Sequence, residues 1–180
     1  AREAIARGAD VTLISGPTNL SIPQNLKKFV QIESAQDLYE AVVSNLSDNK
    51  IVIQSAAVAD YKPKTYSDKK IKKKNDDLSI ELSRNYDIAY EIGKIKEDKI
   101  LIGFAAETND LIEHAKGKIK KKNLDFIVAN DLTKEGAGFR ADTNIVKIID
   151  VEGNITEYPK MKKEEVANVI LDKVKALLEK

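Results

Sequence analysis

The sequence predicts an α/β fold of three layers, in which helices cover both faces of a mostly parallel sheet. Segments with helical periodicity alternate along the chain with short apolar runs, as in doubly wound sheets. Two of these runs, Ile51–Ala56 and Ile100–Ala105, are apolar on both faces, which is typical of strands in a parallel sheet. Near the C-terminus, Asn144–Val151 and Ile155–Tyr158 flank a glycine-containing turn and predict an antiparallel hairpin.

The elements of the first third can be assigned in order. Ala1–Arg7 is predicted to be a helix, because a glycine of the kind that ends helices follows it. Val11–Ser15 and Phe29–Glu33 are predicted strands. Ser34 begins the next helix, since Asp37 stands at the capping-box position. The apolar residues of this helix lie at helical spacing and are Leu38, Ala41, Val42 and Leu46.

The segment Ala59–Leu78 is predicted to be a long polar loop, because it holds Pro63 and a dense run of lysines. A short strand, Ser79–Leu82, is expected after it. The later elements are a helix at Asp87–Ile95, the strand at Ile100–Ala105, a helix capped by Thr108, a strand at Asp125–Ala129, the hairpin and a helix at Glu164–Leu178. The arrangement is Rossmann-like, and no change of composition divides it, so residues 1–180 are expected to form one domain.

Composition excludes several classes of protein. The chain has 180 residues, of which 42% are hydrophobic and 33% charged, which excludes a disordered chain. No apolar run approaches the roughly 20 residues that span a membrane. With 30 basic and 29 acidic residues the net charge is +1, so no overall positive field favours nucleic acid. Cysteine is absent, which rules out cysteine zinc sites within this chain. The one histidine, His114, lies among charged residues of its helix and is expected at the surface. No secretory signal is visible, and a cytoplasmic protein is expected.

Candidate binding residues follow the predicted strands, because ligands of open parallel sheets lie beyond the carboxyl ends of the strands. Asp60 follows such a strand and has the chemistry to meet Mg²⁺ or a ribose hydroxyl. Lys70 lies in the long loop, and Lys118 and Lys122 share one helix face. Such lysines suit a polyphosphate, although solvated charge explains them as well. Neither GxGxxG nor GxxxxGK[ST] occurs.

Four motifs resemble those of the phosphopantothenate–cysteine ligase family. They are SAAVADYKP (Ser55–Pro63), KIKKK (Lys70–Lys74), GFAAET (Gly103–Thr108) and KIKKKNLDFIVAND (Lys118–Asp131), in this order and spacing. The resemblance extends over nearly the whole chain. This family forms the coenzyme A biosynthetic domain that is often fused behind a phosphopantothenoylcysteine decarboxylase, so such a fusion is possible here.

The resemblance implies a reaction in two steps. The carboxylate of 4′-phosphopantothenate attacks the α-phosphate of CTP and gives an acyl-cytidylate and pyrophosphate, and the amine of cysteine then displaces CMP. Cations and Mg²⁺ would stabilise the developing negative charge. A homodimer is also implied, and aromatic residues in predicted loops, Tyr61, Tyr66 and Phe139, are candidates for a contact surface.

The residues that the resemblance assigns to nucleotide binding are Gln54, Ser55, Ala56, Asp60, Lys70, Tyr86, Asp87, Ile88, Ala89, Phe104, Lys118 and Lys122. Asp60 would lie near the ribose or the metal. Lys70 would have the catalytic role, meeting the triphosphate from a loop, Lys62–Asn75, that is expected to order over it. The helix N-terminus after Tyr86 would favour anions.

The family pattern also includes a strand and a loop of the ISNHSSGKMG kind before the position of Ala1. That loop lines the phosphopantothenate site, and the strand lies centrally in the sheet. The chain is therefore expected to be an N-terminally truncated domain that binds nucleotide without completing the synthesis.

Two other functions stay open from the residues alone. An NAD(P)-binding Rossmann oxidoreductase is disfavoured by the missing glycine fingerprint. A nucleic-acid-binding module could use Lys69–Lys74 and Lys116–Lys122, but the small net charge and the 6% of aromatic residues disfavour it. No nucleic-acid or membrane partner is expected.

Overall fold

The computed structural model describes residues 1–72, 77–107, 111–131 and 142–179. The helices are α1 (Arg2–Ala6), α2 (Ala35–Asn45), α3 (Ile88–Ile95), α4 (Leu111–Lys122) and α5 (Lys163–Leu178). The strands are β1 (Thr12–Ser15), β2 (Lys28–Gln31), β3 (Ile51–Gln54), β4 (Tyr61–Pro63), β5 (Leu82–Arg84), β6 (Ile100–Glu107), β7 (Phe126–Asp131), β8 (Thr143–Asn144), β9 (Val146–Asp150), β10 (Ile155–Glu157) and β11 (Met161–Lys162). The predicted cap at Thr108 lies outside the described residues.

The main sheet has five strands in the order β10-β9-β7-β6-β3. Strands β3, β6 and β7 are parallel, whereas β9 pairs antiparallel with both β7 and β10. The predicted C-terminal hairpin is thereby confirmed as β9 and β10. The carboxyl ends of β3, β6 and β7 lie at one edge of this sheet, and this edge is where a ligand is expected.

Helices cover both faces of the main sheet, which confirms the predicted three layers. On one face, α2, α3 and α4 pack against a core that includes Leu101 and Ile127. On the other face, α5 packs against a core that includes Ile102 and Phe126. These four sheet residues are 0–1% exposed, because successive residues of a buried strand enter opposite cores. None of the described helices is both long and apolar enough to cross a lipid bilayer.

Strands β1 and β2 form a parallel pair of their own. A cavity of about 360 Å³ is lined by both β1 and β3, with residues of α2. Ile53 of β3 is 41% exposed, although the sequence of β3 is apolar on both faces. The strand that the resemblance places centrally in the sheet stays a prediction.

Strands β4 and β5 form an antiparallel arm that the sequence did not predict. Tyr61 pairs with Arg84 and Pro63 with Leu82. Strand β4 thus lies inside the segment that was expected to be a loop, and β5 begins at the last residue of the strand that was expected at Ser79–Leu82. Every residue of β4 is exposed, so the strand carries no alternation of apolar and polar residues that periodicity could detect. Lys64 and Glu81 add an exposed ion pair of 3.1 Å at the arm.

The N-terminus of α2 has the predicted capping box. The Asp37 backbone N–H donates to Ser34 Oγ at 3.1 Å, and the Ser34 backbone N–H donates to Asp37 Oδ2 at 2.8 Å. The Glu33 backbone N–H donates to the same carboxylate oxygen at 3.1 Å. These bonds, first of all the one from the Ser34 backbone, hold the pKa of Asp37 below its ordinary value of 3.8.

We expect Asp37→Asn to lower the free energy of unfolding at pH 7 and to lower it less in acid. A carboxyl group whose pKa is depressed by folding stabilises the folded state above its unfolded pKa, and this contribution is lost as the pH falls through the folded pKa. The difference between wild type and variant should therefore shrink as the pH falls below 3.8. Urea denaturation at several pH values measures it, with the exposed Asp10→Asn as the control. A difference that does not vary between pH 7 and pH 2 would contradict the prediction.

Candidate functional site

Two segments that the sequence assigned to the site are joined by hydrogen bonds. The Asn85 backbone N–H donates to the Asp60 carbonyl oxygen at 2.8 Å, and Asn85 Nδ2 donates to the Ala59 carbonyl oxygen at 2.8 Å. Asn85 directly precedes Tyr86, the first residue of the second segment. The turn after β3 and the approach to α3 are thus held side by side, 25 residues apart in sequence.

The N-terminus of α3 carries a charged pair. Asp87 is the N-cap, and its carboxylate accepts a hydrogen bond from the Tyr90 backbone N–H at 3.2 Å. The same oxygen lies 2.9 Å from Lys122 Nζ. Ile88 and Ala89 are buried in the core, so only their backbone atoms are suited to meet a ligand.

The pair changes the expectation that this helix end attracts anions. The Asp87 carboxylate already stands at the positive end of α3, where it is stabilised by the helix dipole. A phosphate at the same place would be repelled by Asp87 and attracted by Lys122. Asp87 therefore suits a hydroxyl or amino donor, while Lys122 suits the anion.

Helix α4 presents the two predicted lysines on one face. Lys118 and Lys122 stand four residues apart, and both side chains are half-buried. Lys121, by contrast, is exposed and lies 6.0 Å from the centre of the Tyr90 ring. His114, on the same helix, is exposed, as predicted.

The carboxyl edge of the sheet brings Gln54 beside β6. Gln54 is in register with Gly103, the residue before Phe104. Ile100 and Ile102 belong to the core under α5, so strand alternation places Phe104 on that face, opposite α3 and α4. The predicted residues are therefore divided between the two faces of the sheet, and a ligand would have to lie across its edge to touch both groups.

Lys70 is not brought to the other predicted residues. It lies in the connection from β4 to β5 and is exposed. Over the described part of this connection, no contact links it to Asp60, Asp87 or Lys122. Residues 73–76 lie outside the described residues. They include the end of the lysine run and of the loop Lys62–Asn75 that is expected to order over the triphosphate.

Asn130 is a further candidate, at the end of a predicted strand, to which the sequence assigned no individual role. It lies near the end of β7 and is 9% exposed, and among the residues that the structure describes its Oδ1 has no hydrogen-bond partner. A buried acceptor without a donor costs free energy, so such an atom marks a place for a ligand donor. Asn130 is in register with Ala106 and lies two residues beyond Val128, the partner of Phe104. The sequence identified it as the end of a strand, but only burial distinguishes it from its neighbours.

Asp60 was predicted as a metal ligand, and its exposed carboxylate is a donor type that Mg²⁺ takes. Within the described ranges, no three His, Asp or Glu side chains are grouped so as to hold a metal ion. Mg²⁺ commonly takes one or two carboxylates together with water and substrate phosphates. An exposed single carboxylate such as Asp60 is compatible with a metal that arrives with a triphosphate.

Comparison with known proteins places these features in a family. The family model described as DNA/pantothenate metabolism flavoprotein C-terminal domain matches residues 1–178. The chain belongs to this family. The coenzyme A biosynthesis bifunctional protein CoaBC of Bacillus subtilis (strain 168) is 48% identical over 177 residues, which are 98% of this chain and 44% of that protein. The chain thus spans about half the length of the curated relatives it matches.

Two solved structures share the fold. The C-terminal domain of a coenzyme A biosynthesis bifunctional protein CoaBC superposes with a TM-score of 0.83 at 41% identity, covering 99% of this chain and 81% of that one. A Cab2 mutant in complex with phosphopantothenate-cysteine superposes with a TM-score of 0.66 at 12% identity, covering 85% of this chain and 55% of that one. The resemblance and the fold class stated from the sequence are confirmed. The roles of the individual site residues stay predictions.

Proposed function

We propose that this chain is a phosphopantothenate–cysteine ligase domain that uses CTP and Mg²⁺ in coenzyme A biosynthesis. Membership of the family and the similarity to CoaBC support the pathway. The observation that carries the proposal is the group formed by Asp60, Asn85, Asp87 and Lys122. Residues of three separate motif segments meet there through two backbone carbonyls and an ion pair.

In the proposed reaction, a carboxylate oxygen of 4′-phosphopantothenate attacks the α-phosphorus of CTP. The bond to the bridging oxygen breaks, pyrophosphate leaves, and an acyl-cytidylate forms. The amine of cysteine then attacks the acyl carbon, CMP leaves, and the nitrogen loses a proton to give the amide. Negative charge grows on the phosphate oxygens in the first step, so placed cations lower its barrier.

In this proposal, each of the chain's own residues has a role that suits its chemistry. Lys118 and Lys122 bind the triphosphate from α4, and Lys70 reaches it from the β4–β5 connection. Asp87 accepts a hydrogen bond from a hydroxyl or amino group of the nucleotide. Mg²⁺ held by Asp60 and phosphate oxygens would neutralise further charge. Asn130 Oδ1 accepts from a substrate donor at the sheet edge.

The experiment combines binding and turnover. Calorimetry with CTP and Mg²⁺ measures nucleotide binding by this chain. Turnover is measured in an extended chain, which also carries the strand and loop that the family pattern places before Ala1, and there release of pyrophosphate and formation of the amide measure the two steps. We expect the affinity for CTP to be well above the affinity for NADPH. Tight NADPH binding without CTP binding would overturn the proposal in favour of the oxidoreductase.

In the extended chain, we expect Lys70→Ala to raise the KM for CTP with little effect on folding. The side chain is exposed, and an exposed lysine without structural contacts contributes at most about 0.5 kcal/mol to stability. Steady-state kinetics and thermal unfolding measure the two effects. The exposed Lys160→Ala, outside the arm, is the control for a change of charge. Unaltered CTP kinetics in Lys70→Ala would remove this residue from the site.

The proposal includes a homodimer formed through the β4–β5 arm. Large apolar side chains of the arm region are exposed by more than half, namely Tyr61, Tyr66, Ile71, Leu78, Ile80 and Leu82. Such a concentration of uncovered apolar surface is typical of a contact with another protein. The same surface on a second copy of the chain can cover it in a symmetric dimer.

We expect Leu82→Lys to convert the dimer into a monomer, because the charge would have to be buried in the contact. Leu178→Lys is the matched control, since Leu178 is 53% exposed and Leu82 58%, but Leu178 ends α5, far from the arm in sequence. Light scattering measures the mass of each variant in solution. A dimer that survives Leu82→Lys, or that Leu178→Lys dissociates equally, would contradict the arm as the interface.

A further inference from the structure

Tyr39 of α2 lies against the candidate site although no motif includes it. Its ring stacks on that of Tyr86, with centroids 5.3 Å apart and planes 12° from parallel. Tyr39 is half-buried and packs against the core under α2, α3 and α4, whereas Tyr86 is 50% exposed. The anchored ring therefore supports the exposed one.

The supported residue occupies a central position. Tyr86 is preceded by Asn85, which binds the turn at Ala59 and Asp60, and followed by Asp87, which pairs with Lys122. The segment of three residues is thus attached to the turn after β3 by Asn85 and to α4 by Asp87. The stack attaches it to α2 as well.

A half-exposed tyrosine without support would sample several rotamers. A ligand that needs one of these rotamers would then bind more weakly, because part of its binding free energy offsets the entropy lost when the ring is fixed. Stacking on Tyr39 fixes the ring plane before a ligand arrives. A tyrosine ring held in this way offers a planar surface to a nucleotide base.

We propose that Tyr39 is a positioning residue for nucleotide binding, acting through Tyr86 on the pyrimidine nucleotide. This inference rests on the proposed function. Tyr39 itself touches no reacting atom. Its loss should therefore raise the dissociation constant and the KM for CTP while leaving kcat nearly unchanged.

The test compares Tyr39→Leu, which removes the stack, with Tyr39→Phe, which keeps it. Calorimetry with CTP and Mg²⁺ should show binding roughly fivefold weaker in Tyr39→Leu, within the range that aromatic pairs produce, and near normal in Tyr39→Phe. Tyr158→Leu is the matched control, since Tyr158 is also half-buried but packs against the opposite core under α5. Ring proton shifts of Tyr86 report directly whether the stack is lost.

A double-mutant cycle keeps the test decisive if Tyr39→Leu is less stable. In a Tyr86→Leu background, Tyr39→Leu should weaken CTP binding no further, because its effect passes through Tyr86. Equal binding by wild type and Tyr39→Leu, an equal loss in Tyr158→Leu, or additive losses in the cycle would each overturn the inference and leave the proposed function intact. Absence of CTP binding by the wild-type protein would overturn the proposed function itself.

Discussion

Gly93→Ala should destabilise the fold by about 3 kcal/mol, although alanine is the better helix former. Gly93 lies in α3, where a Cβ atom would stand 2.0 Å from the Lys122 carbonyl oxygen and 2.8 Å from the carbonyl carbon. Both are backbone atoms, so no side-chain rotation relieves the overlap, and α3 and α4 would have to separate. Overpacking of this kind costs about 1–3 kcal/mol, and a contact with backbone belongs at the upper end.

Two other glycines give matched controls for this substitution. Gly117 lies in α4 with nothing within 4 Å of an added Cβ, so Gly117→Ala should gain up to about 1 kcal/mol of helix propensity. At Gly103 the added Cβ would meet Leu124 Cδ1 at 2.7 Å, a side-chain atom that can shift, so an intermediate loss is expected. Urea denaturation of the three variants measures the series. A Gly93→Ala protein as stable as Gly117→Ala would show that the helices do not cross so closely.

The close crossing at Gly93 also bears on the site. Asn123 Nδ2 donates to the Gly93 carbonyl oxygen at 2.9 Å, so the end of α4 is attached to the middle of α3. This places the Lys122 side chain within reach of Asp87 at the start of α3. Gly93→Ala should therefore weaken CTP binding in the protein that remains folded, which calorimetry below the unfolding transition measures.

The sequence predicted those parts of the fold that depend on local pattern. Strands β3, β6 and β7 were recognised because their sequences are apolar on both faces, and α2 because Ser34 and Asp37 form its cap. Strands β4 and β5 were missed or displaced because exposed strands leave no periodic signal, and Pro63 indicated a loop. Strands β1 and β2 pair with each other and not with the main sheet. Which strands pair is decided between segments far apart in sequence, and periodicity within a segment does not show it.

The candidate site divides in the same way. Motif resemblance identified Asp87 and Lys122 as separate residues, but their 2.9 Å contact results from how α3 and α4 cross. Asn130 lies in the last of the four motifs without an assigned role, and Tyr39 lies in none of them. The first is distinguished by an acceptor that burial leaves without a partner, and the second by a ring contact between residues 47 positions apart.

In the extended chain, Lys122→Met should lower kcat/KM for CTP by about 100-fold, the lower part of the range for losing one group that stabilises transition-state charge. The Lys122 side chain is 22% exposed and Asp87 40%. In this partly shielded place the ammonium group keeps more of its attraction for a phosphate than a fully solvated lysine does. Methionine retains the length of the side chain and its apolar contacts, so the loss reports mainly the charge.

Stability separates this role from a purely structural one. A half-exposed ion pair contributes about 1 kcal/mol or less, so Lys122→Met should unfold only slightly more easily than wild type. Asp87→Asn breaks the same pair but keeps Lys122, so it should cost similar stability with a much smaller loss of kcat/KM. Lys120→Met, at an exposed position of the same helix turn, controls for the lost charge and should leave the kinetics near normal. If Lys122→Met and Asp87→Asn lower kcat/KM equally, the separate role proposed for the Lys122 charge is contradicted.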